Sequence, residues 1–352
     1  MSRRVRVAVN LLWAAPGRVG GSEAYLTRQL LGLVEATGVD EDAPIEIVVH
    51  CTRPFVEAHP QLASRVEMVA APTAIDARPV RIALEHTWLA AKTRAFDLVH
   101  HGGGTVPIAA RCPNVLTIHD LQFRRFPQYF GRVRRGYLEA MVPRSSRGAA
   151  MVLTPTDFVR STVIDAYDIA SDRVRVVPHG VPPTVRPDAA AIERARTDTG
   201  IGDRPYVVYP AITHPHKRHR LLVEMLDHTT GDADLVVVLT GGVGAAEPDL
   251  AASIGSSQHA DRVVRTGRVD HTTLDALVAG AEALVFPSEY EGFGAPLVEA
   301  MALGTPVVGS DASAVVEVIG GAGVVVSAPT GEAWAAGVAA ARSRREELVR
   351  LG

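Results

Sequence analysis

The chain has 352 residues, room for two domains of about 150 residues each. Its 36 basic and 39 acidic residues leave a net charge of −3, which argues against a dedicated nucleic-acid binder. With 47% hydrophobic and 21% charged residues it can bury a core, and no apolar run reaches the ~18–20 residues that span a bilayer. Two cysteines, Cys51 and Cys112, are too few for a disulfide framework, so a reducing cytoplasm is expected. The opening MSRRVRVAVNLLWAAPG superficially resembles an export signal. Arg6 and Asn10 interrupt its apolar stretch, however, and Val5, Val7 and Val9 alternate as a strand does.

Taken in order, strands are predicted at Val5–Asn10, Ile45–His50, Leu98–His100, Val115–His119, Met151–Pro155 and Val174–Pro178, with helices such as Ser22–Ala36 and Ala83–Ala95 between them. The proline-rich run HGVPPTVRPDAAAIERARTDTGIGDRPY then marks a boundary near Val181, including one short helix. Beyond it the alternation restarts with Tyr206–Pro210, Leu235–Thr240, Ala283–Pro287 and Pro306–Gly309. Such alternation predicts an α/β class with two Rossmann-like domains, residues 1–181 and 182–352, facing across a cleft. Ligands of open α/β sheets bind beyond the carboxyl ends of the strands, which favours strand-end residues such as His119.

The most informative segment is ALVFPSEYEGFGAPLVEAMALGTPVV. A strand runs into a glycine-rich loop, and Pro296 suits the first turn of a helix. Gly292 and Gly294 let backbone N–H groups approach a ligand, and a helix amino terminus favours an anion such as phosphate. Glu291 and Glu299 would repel that phosphate, so they make more sense on sugar hydroxyls, which carboxylates accept in bidentate fashion. The bland alternative is that both are solvated, Glu299 favouring the helix dipole. Lysine is also scarce. Of the 36 basic residues 34 are arginine, leaving only Lys92 and Lys217, which marks Lys217 as a place where a compact ammonium suits a site.

EGFGAPLVE resembles the E-x7-E signature of retaining GT-B glycosyltransferases of the family 4 group. The resemblance extends along most of the chain, through VGGSEAYLTRQL, TIHDLQFRRFPQYF, TPTDFVRSTV, VRVVPHGV, YPAITHPHKRH and SDASAVVEVIGGAGVVVSAP. It implies that Gly20 and Gly21 shape a loop under the donor diphosphate, that His119 lies against the transferred sugar, and that Lys217 neutralises the departing diphosphate. It further implies that Glu291 holds sugar hydroxyls with the amides of Gly292, Phe293 and Gly294 assisting, and that Glu299 grips the ribose diol. The activity implied is retaining transfer of a hexose, mannose favoured with GDP-mannose as donor, to a glycan, lipid-linked or small-molecule acceptor. No cofactor beyond the nucleotide-sugar donor and no nucleic-acid partner is implied. The competing readings are an epimerase of the same fold and an inactive sugar-nucleotide-binding scaffold.

Two positions depart from the family pattern. Many members carry an arginine five or six residues before the phosphate lysine, where this chain has Ile212 and Ala211. The expected substitute is Arg218, a histidine, or an arginine elsewhere in the chain that the sequence does not locate. Members also continue into a final helix that returns to the first domain, whereas this sequence stops at Gly352, soon after a helix predicted over Trp334–Leu348.

Other patterns are set aside. His101-Gly102-Gly103-Gly104 copies a lipase oxyanion loop but lacks a G-x-S-x-G elbow. His214, His216 and His219 bunch like metal ligands without a carboxylate or cysteine beside them. Gly242-Val243-Gly244 imitates a dinucleotide loop, with Glu247 in place of the third glycine. Arg124, Arg125, Arg132, Arg134 and Arg135, interleaved with Phe126, Tyr129 and Phe130, read as a solvated face or as a patch for an anionic acceptor or a membrane surface, the latter allowing peripheral attachment. Asp40-Glu41-Asp42 and Asp232-Ala233-Asp234 precede their strands, the wrong end for a metal-held donor, so metal-independent chemistry is expected.

Overall fold

Among the described residues, thirteen strands form two sheets in which every pairing is parallel. The computed structural model describes residues 3–17, 21–38, 43–75, 77–181, 184–229 and 234–352. It divides into two compact units, Met1–Gly180 and Val181–Gly352.

The first unit contains β1 (Val5–Asn10), β2 (Ile45–Cys51), β3 (Glu67–Ala70), β4 (Leu98–His101), β5 (Asn114–Thr117), β6 (Met151–Thr154) and β7 (Val174–Val176), in the order β3-β2-β1-β4-β5-β6-β7. The second contains β8 (Tyr206–Pro210), β9 (Val236–Thr240), β10 (Val263–Gly267), β11 (Ala283–Phe286), β12 (Val307–Ser310) and β13 (Val324–Val326), ordered β10-β9-β8-β11-β12-β13. In both, strand order reverses beside the first strand, between β1 and β4 and between β8 and β11. That reversal opens a crevice at the carboxyl ends, where a ligand meets loops from both neighbours.

The strand interiors are Val-, Ile- and Leu-rich because helices cover both faces of a parallel sheet. Every residue of β9, β11 and β12 is buried. Several helices begin at side-chain caps: Thr156, Asp188, Asp270 and Thr330 accept hydrogen bonds from the backbone N–H three residues on.

The helix predicted at Ala83–Ala95 instead starts at Arg78, with Pro79 in its first turn, and is interrupted by a π turn at Glu85–Leu89 before Ala90–Lys92. At that turn Glu85 points into the protein and accepts from Asn10 Nδ2 at 3.2 Å. The helix predicted at Trp334–Leu348 is two helices, Gly331–Ser343 and Arg345–Leu351, broken at Arg344. Strands β3, β10 and β13 were absent from the sequence reading. All three are sheet edges.

Candidate donor and acceptor sites

In the second unit the loops leaving β8 and β11 meet at the reversal point. The β8 loop closes in a 3-10 turn, Pro215–Lys217, followed by Arg218 in the left-handed region at φ 49°. Tyr209, fully buried, donates its hydroxyl to the Lys217 carbonyl at 3.0 Å and lies 3.0 Å from Ser288 Oγ. The Glu289 N–H donates to the His216 carbonyl at 2.7 Å, and the Glu291 N–H to Ser313 Oγ at 2.8 Å. These bonds bind the two loops into one surface. On it Lys217 Nζ pairs with Glu291 Oε1 at 2.5 Å and stands 5.4 Å from the centroid of the Phe286 ring. The sequence proposed separate tasks for this lysine and glutamate, and the structure brings them into contact.

Gly294 caps the Ala295–Ala302 helix at φ 97°, a left-handed conformation that favours glycine, and a Cβ there would come within 3.1 Å of Leu297 and 3.3 Å of Phe286. Gly292 lies beside it, half-buried, and Phe293 is buried. Glu299 projects from the same helix, half-buried. The helix thus begins at this glycine turn, three residues after the Glu291 carboxylate that pairs with Lys217.

Arg218, one of the residues expected to assist Lys217, pairs its guanidinium with Glu289 at 3.0 Å. Another arginine, Arg268, lies just beyond β10. Its guanidinium packs so closely on Gly242 that a Cβ there would meet Nε at 2.8 Å. The neighbouring Gly241 and Gly244 are also enforced by space, since added Cβ atoms would reach 2.3 Å from the Ala211 carbonyl oxygen and 2.6 Å from that of Thr213. The β9 loop thus needs its glycines to admit the β8 loop. The three histidines divide their tasks: His219 faces the Ala211 carbonyl at 3.3 Å, while His214 and His216 stack with centroids 5.8 Å apart. Of the two Asp-x-Asp pairs, residues 40–42 and 232–233 lie outside the described residues, and Asp234 precedes β9.

In the first unit the reversal point carries aromatic rings. His119, two residues beyond β5, packs against Trp13 at 5.9 Å and edge-on to Tyr25 at 5.4 Å, and Tyr25 packs on His179 at 4.4 Å. His119 Nε2 donates to the Gly102 carbonyl at 2.9 Å, so Nδ1 is the acceptor of the neutral ring. Burial lowers the His119 pKa to about 4, partly offset by that bond, which keeps the ring neutral near pH 7. The triple glycine has a packing reason: a Cβ at Gly103 would stand 2.6 Å from Trp13 Cδ1, and one at Gly102 3.0 Å from Leu26 Cγ.

Gly21 opens the Gly21–Thr37 helix, and a Cβ there would meet nothing within 4 Å. Space alone does not demand glycine at that position. Gly20 lies outside the described residues. In the arginine stretch Arg124, Arg125, Arg132 and Arg134 are exposed. Arg124 lies over Tyr167 at 5.3 Å, Arg125 over Phe126 at 5.4 Å and Arg135 beside Glu139 at 3.3 Å, while Arg134 lines a cavity with His119. No helix among the described residues is long and apolar enough to cross a membrane.

Residues 19–185 match the family model "Glycosyltransferase Family 4", and residues 191–352 match "Glycosyl transferases group 1". The chain is 27% identical over 236 residues to the O-antigen chain mannosyltransferase B of Escherichia coli, covering 65% of this chain and 61% of that protein. It is 32% identical over 249 residues to the MMP alpha-(1->4)-mannosyltransferase of Mycolicibacterium hassiacum, covering 66% and 57%. The chain thus spans less than two thirds of the length of these curated relatives. Among solved structures, Anabaena HepE in complex with UDP and glucose superposes with a TM-score of 0.75 at 18% identity, covering 98% of this chain and 92% of that one. WaaG, a glycosyltransferase involved in lipopolysaccharide biosynthesis, superposes at 0.72 and 17%, covering 98% and 94%. With two parallel Rossmann-like sheets and a family match over nearly its whole length, the chain belongs to the group 1 glycosyltransferases of GT-B fold.

Proposed function

We propose that this protein transfers a hexose, mannose by preference, from a nucleoside-diphosphate sugar to a hydroxyl of a glycan, lipid-linked or small-molecule acceptor, retaining the anomeric configuration and using no divalent metal. The observation that carries this reading is the Lys217–Glu291 pair at the strand-order reversal, beside the glycine turn and helix amino terminus at Gly292–Gly294. It is further supported by similarity to proteins named as mannosyltransferases, and by a fold shared with a protein that binds UDP and glucose.

In the reaction the bond between the sugar's C1 and the diphosphate oxygen breaks, and a bond from C1 to the acceptor oxygen forms. The acceptor's proton is released and the nucleoside diphosphate leaves. Lys217 and the backbone N–H groups of Gly292, Phe293 and Gly294 are assigned to the negative charge that grows on the leaving diphosphate. Lys217 has three N–H donors and spends one on Glu291. The pair therefore aims the ammonium while leaving donors for phosphate oxygens. Glu291 takes the sugar's hydroxyls and Glu299 the ribose diol. Neutral His119 offers Nδ1 as an acceptor toward the transferred sugar.

The test is a thermal-shift panel of GDP, UDP, ADP and dTDP, followed by transfer from the matching sugar nucleotide and NMR of the product anomer. Ligand at 100 times Kd stabilises by about 2.7 kcal/mol, ample to read. An inverted product, or activity abolished by EDTA and restored by Mn²⁺ or Mg²⁺, overturns the corresponding part. Epimer formation without transfer replaces the reading with that of an epimerase.

A further inference from the structure

The first unit holds a cavity of about 340 Å³, a volume suited to a small molecule. One wall carries His119 and Trp13, and another carries three arginines, Arg78, Arg81 and Arg134. Arg78 and Arg81 lie one turn apart on the Arg78–Leu84 helix, and Arg134 comes from the Arg132–Gly148 helix. The Arg134 pKa is lowered, first by partial desolvation and then by the Arg78 charge, with Asp120 opposing the shift and Arg81 adding to it. Arg134 is held over the Phe130 ring at 4.7 Å. Arg81 Nε is buried with no hydrogen-bond partner, and its nearest ion-pair oxygen, on Glu85, stands 3.9 Å away. Burial raises the pKa of Glu85 itself, against the opposing effects of Arg81 and Asn10. Among the described residues Asp120 is the one carboxylate that lines the cavity. Like charges gathered around a concave space cost free energy unless an anion joins them.

We infer that this cavity binds a phosphoryl group carried by the acceptor, so that the protein glycosylates a phosphorylated sugar or polyol. The inference rests on the transferase reading, because it takes His119 in the same cavity as a neighbour of the reaction. Among the described residues that line the cavity three guanidiniums face one aspartate, an excess of positive charge that suits the −1.5 to −2 of a phosphate monoester better than a single carboxylate. Guanidinium forks also pair with several phosphate oxygens at once. Trp13, Phe123 and Phe130 add apolar lining to the same cavity, which suits the carbon skeleton of such a molecule. A soluble sugar phosphate and a phospholipid headgroup share this chemistry.

Titration calorimetry on the full chain, with and without saturating nucleoside diphosphate, decides the matter. The probes are glucose, mannose and galactose 6-phosphates, each against its unphosphorylated hexose, and dihexanoyl phosphatidic acid against dihexanoyl phosphatidylcholine. At least one phosphorylated member should bind tenfold or more tightly than its partner, and which pair responds identifies a soluble or a lipid source. That preference should fall at least fivefold in Arg78→Ala and Arg134→Ala, which alter exposed side chains, and in Arg81→Gln. A preference below tenfold in every pair, or one that survives these substitutions, overturns the inference. If the wild-type protein binds no nucleoside diphosphate, the transferase reading falls instead, while the titrations without nucleotide still score the cavity.

Discussion

One strand order serves both units, but they fill it differently. Among the described residues the second unit gathers 38 buried apolar residues into one continuous core, whereas the first divides its core into clusters of 13 and 12. Five histidines of the first unit, His50, His100, His101, His119 and His179, are held at pKa values of about 3 to 4, chiefly by burial. In the second unit His216 and His219 are held likewise. The second unit therefore gives a rigid base for one charged pair between glycine turns. The first interleaves its apolar clusters with neutral imidazoles, polar networks and a cationic cavity. A phosphate site benefits from fixed donors, whereas a wall of large side chains allows one fold to suit different acceptors by changing residues without moving strands.

The sharpest way to break this contrast is at Lys217. Lys217→Ala should reduce turnover about 10²–10³-fold and weaken nucleoside-diphosphate binding, with melting little changed. Steady-state kinetics that match wild type would remove the lysine from the site.

Acid should separate the units. Unfolded histidines take up protons below about pH 6.5, and the folded ones only near pH 4. Between those values the unfolded state binds more protons, so stability falls as pH falls. His50 and His101, both buried, contribute at most about 3 kcal/mol each to that loss. Glu85, whose pKa is raised by burial, acts in the opposite sense. Hydrogen exchange of peptides from the two units between pH 7 and 4.5 should show the first unit opening earlier. Simultaneous opening would show that the histidine burden does not distinguish them.

Glycine substitutions compare a yielding neighbour with an unyielding one. Gly103→Ala meets the Trp13 indole, which can turn, so it should cost about 1–3 kcal/mol and disturb acceptor use more than nucleotide affinity. Gly241→Ala meets the Ala211 backbone at a φ of 147°, and should cost more stability than Gly103→Ala in urea melts. The reverse order would refute the packing account.

The smallest effect expected is at the carboxylates. Glu299→Ala should weaken nucleoside-diphosphate binding about tenfold, or 1.4 kcal/mol. Glu291→Ala should not weaken it, because Lys217 loses a competing partner, yet should depress transfer. Equal losses of nucleotide affinity in both variants would abolish the division of labour.

The residues alone specified the alternation of strand and helix, because buried parallel strands are nearly uniform apolar runs. IEIVVH and ALVF stand out in any window. They failed to specify β3, β10 and β13, three of the four edge strands, where one open side relaxes the demand for a continuous apolar run. The fourth edge, β7, was legible in VRVV. EGFGAPLVE was legible as a glycine turn leading into a helix because glycine and proline signal backbone conformations directly. Arg78 and Arg81 stand more than fifty positions before Arg134, and Lys217 stands 74 before Glu291. Their meetings depend on which strands are neighbours at the reversal points, and strand order is set by how the helices pack over the finished sheet.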